Sequence, residues 1–333
     1  MPFIQEIPLP ERTPDPIQHA RRSRKMERSN RAAAFKGIVV NPGEDIQLAI
    51  DSMFAVGGGV ISLLAGTYYP KSNITLKPNC KLAGENGSTT IIDFANQAYS
   101  IIIPNNAGIV SNFHMERITV QNSSTHGLIF QTGTSNVFFF AVDSNNNGGD
   151  GFNITGLGGA VLETCNANSN GGYGFYLIDC TLINFTGACA GALNTLDGMY
   201  IKSSTYVRAH NFLSQLNLRD GISLSASVGC STRDTIAIIN TRYGIRIAAS
   251  EFNNILNSQV YSNGSDGVFI DTDSNRNSIV SSVMITNGGW GVRINNANCD
   301  KNLLAFDDLG STANTSGTLS DAGTGTVSVN HIT

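Results

Sequence analysis

Apolar and polar residues alternate along most of the chain, and beyond residue 120 they do so in a fixed register. The unit is x-Gly-Φ-x-Φ, with Φ apolar. It reads His126-Gly-Leu-Ile-Phe130, Asp150-Gly-Phe-Asn-Ile154, Tyr173-Gly-Phe-Tyr-Leu177, Asp197-Gly-Met-Tyr-Ile201, Asp220-Gly-Ile-Ser-Leu224, Tyr243-Gly-Ile-Arg-Ile247, Asp266-Gly-Val-Phe-Ile270 and Trp290-Gly-Val-Arg-Ile294. The glycines fall at 127, 151, 174, 198, 221, 244, 267 and 291, always 23 or 24 residues apart. So constant a period marks a repeat architecture. Both Φ positions are apolar in every copy, which is strand alternation with one buried face. The glycine supplies either a φ > 0 corner or a close backbone approach. Four residues before it stands Asn147, Asn170, Asn194, Asn217, Asn240, Asn263 or Asn287; only the first copy differs, with Ser123. Asn tolerates a left-handed turn, and identical Asn side chains stacked at strand spacing can hydrogen-bond up the stack.

A repeat of this length holds two or three short strands and their turns. It is too short for a propeller blade and lacks a helical apolar stripe. The coils therefore stack at about 4.8 Å and bury the Φ columns inside a parallel β-solenoid. Ahead of the repeats, Ile46, Ala49, Ile50, Met53 and Phe54 have helical spacing. Asn41-Pro42 opens this helix and Gly57-Gly58-Gly59 closes it. It is placed to cap the open first coil. The repeats, this helix, the glycine run, Ala65-Gly-Thr-Tyr-Tyr69 and Ile74-Thr-Leu-Lys77 together resemble the right-handed parallel β-helix of the pectate-lyase-like superfamily, including phage tailspike and receptor-binding proteins. The resemblance spans residues 38–333 and implies an all-β fold. It does not imply one activity, because that fold carries lyases, hydrolases, epimerases, tailspikes and adhesins. The expected organisation is a basic arm at 1–36, a capping segment at 37–60, a β-helix at 61–309 and a terminal coil and cap at 310–333.

Charge changes the picture at one end. Residues 1–36 hold eight Lys and Arg against four Asp and Glu, and the rest of the chain holds 13 against 21. Asp15-Pro16 opens a basic helix within the arm. An acidic shaft with a basic arm is not a nucleic-acid-binding solenoid. No apolar run reaches membrane-span length, and the first residues lack a basic-then-apolar leader. The expectation is synthesis in a host cytoplasm without a signal peptide, and residence in a virion tail. The six cysteines form no Cys-x-x-Cys pair, which disfavours a zinc or redox site. Cys165 and Cys189 lie one coil apart and are expected as free core thiols.

Chemistry has few places to sit. The outward positions form two columns, and Tyr176, Tyr200, Lys202, Arg246 and Arg293 are the expected glycan-binding residues on them. Aromatic faces and guanidiniums suit sugar rings and acidic groups; the bland alternative is an ordinary exposed strand face. Asp197 and Asp220, one coil apart, are the candidate acid–base pair, although Asp-Gly is also a common turn. Asn194-Thr-Leu-Asp-Gly198 is similar to an element of polygalacturonase-like enzymes, with Leu196 inserted and the companion motifs absent. Asp271 and Asp273 open with calcium-loop spacing but lack the glycine and the closing Glu. No other cofactor is expected. Within Val137-Phe-Phe-Phe-Ala-Val142, at least one of Phe138, Phe139 and Phe140 should face out and form an oligomer interface.

The function these readings support is a virion-associated tailspike or receptor-binding protein. It would be a homotrimer, contact a host-surface polysaccharide along its shaft and dock to other tail or capsid proteins through residues 1–36. The alternatives are a polysaccharide lyase or glycoside hydrolase, and a structural decoration or adhesin protein without a ligand.

Overall fold

The computed structural model describes residues 37–105, 112–305, 307–309 and 313–331. The basic arm, residues 1–36, lies outside them.

Each regular coil contributes three short strands, as in Met199–Lys202, Arg208–His210 and Phe212–Gln215. The first of the three is the Gly-Φ-x-Φ strand. These stack into an 11-stranded sheet, here the glycine sheet, running from Ile74–Thr75 to Gly317–Asp321. Pairing is parallel and in register: Phe152 lies on Phe175, Phe175 on Met199, Met199 on Ile222 and Ile222 on Ile245. The other two columns are joined through the long strands Phe113–Gln121 and Ser135–Asn145. Both turn a corner without breaking, with Arg117 and Ala141 at φ 52° and 50°. The chain is a parallel β-solenoid with very little helix.

The alternation places the core. All of the Φ residues of the eight repeats are at most 1 % exposed. They belong to one apolar cluster that runs from Val40 to Leu309. Such a core is a set of columns, so each coil supports only its neighbours.

The repeated Gly and Asn serve the turn between the third strand and the next glycine strand. None of the eight repeat glycines has a positive φ. A Cβ on Gly221 would lie 2.4 Å from the Gly244 carbonyl oxygen and 2.8 Å from Asn240 Nδ2. Close approach, not a left-handed corner, is what requires Gly. The asparagines are not left-handed either; the residue before each one is, with Ser169, Leu193, Leu216 and Ile239 at φ 57°, 60°, 57° and 55°. The Asn side chains form a continuous ladder. Asn170 Nδ2 donates to Asn194 Oδ1 at 3.1 Å, Asn194 to Asn217 at 3.0 Å, Asn217 to Asn240 at 2.9 Å and Asn240 to Asn263 at 3.0 Å. Each Oδ1 also accepts the backbone N–H of the preceding Asn, as Asn240 does from Asn217 at 3.1 Å. Buried amides thus satisfy one another and the turn backbone.

Helix α1, Ile46–Ala55, packs against the first strands, Gly37–Val40 and Gly59–Leu63. It starts later than Asn41-Pro42 suggested, with Asp45 as N-cap accepting from the Leu48 N–H. Ile46, Ala49, Ile50 and Met53 are buried, while Phe54 is exposed beneath Lys77. Strand pairing begins ahead of this helix, since Gly37–Val40 pairs with Gly59–Leu63.

The three-phenylalanine run is corrected by burial. Phe139 is fully buried and packs on Phe130, so it is a core residue and not an interface residue. Phe138 and Phe140 point outward and are half-buried, with Phe138 edge-on to His114 at 4.9 Å. The six cysteines are free and buried. Cys189 stacks on Cys165 and its Sγ accepts the Cys165 N–H at 3.3 Å.

Candidate functional site

The inner positions of the glycine sheet repeat; its outward positions do not. Register sets Tyr176 directly on Tyr200, with ring centroids 5.8 Å apart and planes 5° apart. Tyr173 rises from the preceding turn and stacks beside them, 5.0 Å from Tyr176 and 5.1 Å from Tyr200. The Arg219 guanidinium lies 5.2 Å from the Tyr173 ring and 5.7 Å from the Tyr200 ring, and its Nη2 donates to the Tyr173 hydroxyl. A second cluster lies two rungs on. Tyr243 and Phe269 stack at 4.4 Å, Arg242 covers Tyr243, and Arg293 lies 5.7 Å from Phe269.

Between the clusters runs an open groove of about 350 Å³. Tyr173, Tyr200 and Arg219 line one side, and Arg242, Tyr243, Arg246 and Phe269 the other, with Asp271 at the edge. Four of the five expected glycan-binding residues, Tyr176, Tyr200, Arg246 and Arg293, therefore belong to these clusters or border the groove. Lys202 shares the sheet's outer face beside Tyr200 without lining the groove. Tyr173, Arg219, Arg242 and Tyr243 escaped the reading of the outward columns because they stand one or two residues before the glycine, in the turn. The available signal was their bulk at positions that Asp, Gly or Ser occupy in most other copies.

Asp197 and Asp220 lie on adjacent rungs, as the spacing predicted, and the Asp220 N–H donates to Asp197 Oδ1. Both are wholly buried. Arg219 grips Asp197 through Nε and Nη2, both at 2.7 Å, and Arg242 grips Asp220 in the same way at 2.8 and 2.7 Å. Burial pushes the Asp197 carboxyl up, against the opposing pull of Arg219, with the Asp220 charge a lesser contribution. Both carboxylates are held beneath guanidiniums, so neither meets a substrate. They orient Arg219 and Arg242 and do not form an acid–base pair. Asp266 occupies the same position two coils on, but Gly289 replaces the arginine above it; its Oδ1 accepts the Trp290 N–H and its buried Oδ2 has no partner.

Asp271 accepts from Asn295 Nδ2 at 3.3 Å, and Asp273 is exposed on the following turn. Among the described residues no three His, Cys, Asp or Glu side chains gather as metal ligands, and none of the described helices is long and apolar enough to cross a membrane.

Known structures share the architecture. The A-module of the Azotobacter vinelandii mannuronan C-5 epimerase AlgE6 superposes with a TM-score of 0.64 at 20% identity, covering 86% of this chain and 94% of that one. The corresponding AlgE4 module gives 0.59 at 17% identity, covering 86% and 95%. Dettilon tailspike protein gives 0.53 at 12% identity, covering 86% and 68%. These likenesses establish a right-handed parallel β-helix. No curated protein matches in sequence. Residues 134–315, more than half of the chain, match the family model described as "Periplasmic copper-binding protein (NosD)", and the chain belongs to the NosD family.

Proposed function

We propose that this chain is a polysaccharide-binding β-helix whose ligand lies across the outer face of the glycine sheet between Tyr173 and Arg293. The observation that carries this reading is the continuous platform of Tyr173, Tyr176 and Tyr200 edged by Arg219. Three near-parallel aromatic rings stacked at strand spacing form a continuous aromatic surface with a polar rim, against which the apolar face of a sugar ring can pack. The ion pairs beneath fix the guanidiniums, so little side-chain freedom is lost when a ligand docks.

The finer role is attachment. The chain would sit on a virion as a tailspike-type receptor-binding protein and contact a host-surface polysaccharide. The fold likeness to Dettilon tailspike protein supports this role, and the homotrimer belongs to the same proposal. Cleavage is not part of this reading, since Asp197 and Asp220 are enclosed by their arginines.

Copper, named in the family's description, does not fit the described residues. Copper takes thiolate and imidazole ligands. Here the cysteines are buried in the apolar core, and no three His, Cys, Asp or Glu side chains gather among the described residues.

The test is binding of the purified protein to a surface-polysaccharide panel and to intact cells. Removing both Tyr176 and Tyr200 side chains (Tyr176→Ala with Tyr200→Ala) should weaken binding at least tenfold, the equivalent of about 1.4 kcal/mol, without unfolding the chain. Unchanged binding would move the ligand off the glycine sheet.

A further inference from the structure

The groove between the two aromatic clusters carries more charge than a stacking platform needs. Three guanidiniums border it: Arg219, Arg242 and Arg246. Two are neutralised from within the protein, by Asp197 and Asp220 buried beneath them. Arg246 is different. It stands between Ser223 and Phe269 in the outward column, and no carboxylate pairs with it among the described residues. Asp271 borders the same groove but bonds to Asn295 instead. Residues 37–333 hold 13 Lys and Arg against 21 Asp and Glu, so a cation without a carboxylate partner runs against the charge of the shaft. An unpaired guanidinium carries uncompensated charge, and an arriving anion supplies its partner. A guanidinium receives a carboxylate through two parallel N–H···O bonds, which gives geometry as well as charge.

We propose that this groove is a carboxylate subsite, in which Arg246 reads the acid group of one sugar in an acidic polysaccharide. The neighbouring sugars lie on the Tyr173–Tyr176–Tyr200 platform on one side and on the Tyr243–Phe269 stack on the other. This inference rests on the glycine sheet being the polysaccharide face. Asp197 and Asp220 are its positioning residues, holding the Arg219 and Arg242 side chains in place before the ligand arrives.

The experiment uses polygalacturonate, its fully methyl-esterified form and dextran sulfate as probes, titrated calorimetrically against the full chain. The two galacturonans share a backbone and differ in carboxylate charge. Wild type should bind the free acid at least tenfold more tightly than the ester, with the preference shrinking as salt rises. Arg246→Gln should bring that ratio close to one, and Arg246→Glu should reverse it, with thermal midpoints showing that both variants fold. A wild type that binds acid and ester equally, or an Arg246→Gln variant that keeps the preference, overturns the proposal. Tighter binding of dextran sulfate than of polygalacturonate overturns the carboxylate assignment. The Tyr176→Ala, Tyr200→Ala double variant separates this subsite from the broader reading. If it loses both galacturonans while the acid preference is absent in wild type, the polysaccharide face stands and the subsite falls. If it binds both as wild type does, or if wild type binds none of the three probes, the face itself falls.

Discussion

The turn beneath the glycine sheet and the outer face of that same sheet follow opposite rules. In the turn, one Asn recurs coil after coil, and each amide bonds the next at 2.9–3.1 Å from Asn147 to Asn314. On the outer face, the column through Tyr176 reads Ile129, Asn153, Tyr176, Tyr200, Ser223, Arg246, Phe269 and Arg293, and only Tyr occupies two adjacent rungs. The ladder is a chain of buried polar groups, and a missing member leaves donors and acceptors unpaired on both sides. The face is half-buried, with only Ser223 and Phe269 of this column buried, so most of its members change at less cost in stability than the ladder's do. Identity from coil to coil therefore marks what holds the solenoid, and departure from it marks what the solenoid presents.

Breaking the ladder should have the largest effect. Asn217 donates to Gly191 O, Ser214 Oγ and Asn240 Oδ1, and accepts twice from Asn194. Asn217→Leu should cost about 4 kcal/mol in urea unfolding, as two or more buried groups lose partners. A loss under about 1 kcal/mol would mean that the ladder is ornamental.

Next comes the ion pair that joins the two regions. Arg219→Leu leaves Asp197 buried without a counter-charge and should cost about 3–5 kcal/mol near neutral pH. Burial already raises the Asp197 carboxyl above its ordinary value in the folded chain. Without Arg219 it should rise further, so the loss should be full at high pH and shrink as pH falls and the carboxyl protonates. Adding Asp197→Asn should recover much of the stability at pH 8. A pH-independent defect would show that Arg219 acts through packing alone.

A smaller effect sharpens the comparison at the C-terminal end. There the inner column of Ser258 and Ser282 ends on Asp307, whose Oδ1 accepts the Ser282 N–H. Burial pushes the Asp307 carboxyl up to about 7, and its Oδ2 and the nearby His331 Nδ1 are both buried without a hydrogen-bond partner. A raised folded pKa gives stability that is full below the ordinary carboxylate range and lost as pH rises through about 7. Hydrogen exchange in residues 313–331 should therefore quicken between about pH 4 and about pH 7 in wild type and level off above, after correction for intrinsic rates. Asp307→Asn should flatten that dependence. An equal pH response in both would exclude Asp307 as its source.

The smallest stability change should come from the outer face itself. Tyr200→Ala should shift unfolding by under about 1 kcal/mol while weakening polysaccharide binding. A loss as large as that of Asn217→Leu would make the tyrosine stack structural.

The expected interface shows where strand alternation is a sound guide and where it stops. Period two requires alternate residues of Phe138, Phe139 and Phe140 to face opposite ways, and they do; the pattern alone left open which one is buried. Packing on Phe130 answered it, and removes Phe139 from any subunit contact. The glycan residues were legible as far as they sit on strands, because in-register stacking turns a fixed sequence spacing into adjacency. Tyr173, Arg219, Arg242 and Tyr243 sit in turns, where spacing does not set direction.

From sequence alone came the solenoid, its coil length, the buried Φ columns, the Asn ladder and the adjacency of Tyr176 with Tyr200. All of these depend only on repetition: identical coils stack identically, so one period determines every neighbour. Tertiary structure decided the rest. It showed that the repeat glycines serve close approach and that the left-handed residue precedes each Asn. It also showed that Asp197 and Asp220 hold arginines and are shielded by them, and that Arg246 stands without such a partner among the described residues. Each of these depends on how a side chain of one coil reaches over the next. That reach is set by turn geometry and by which neighbours compete for the same charge, and a one-dimensional period does not encode it.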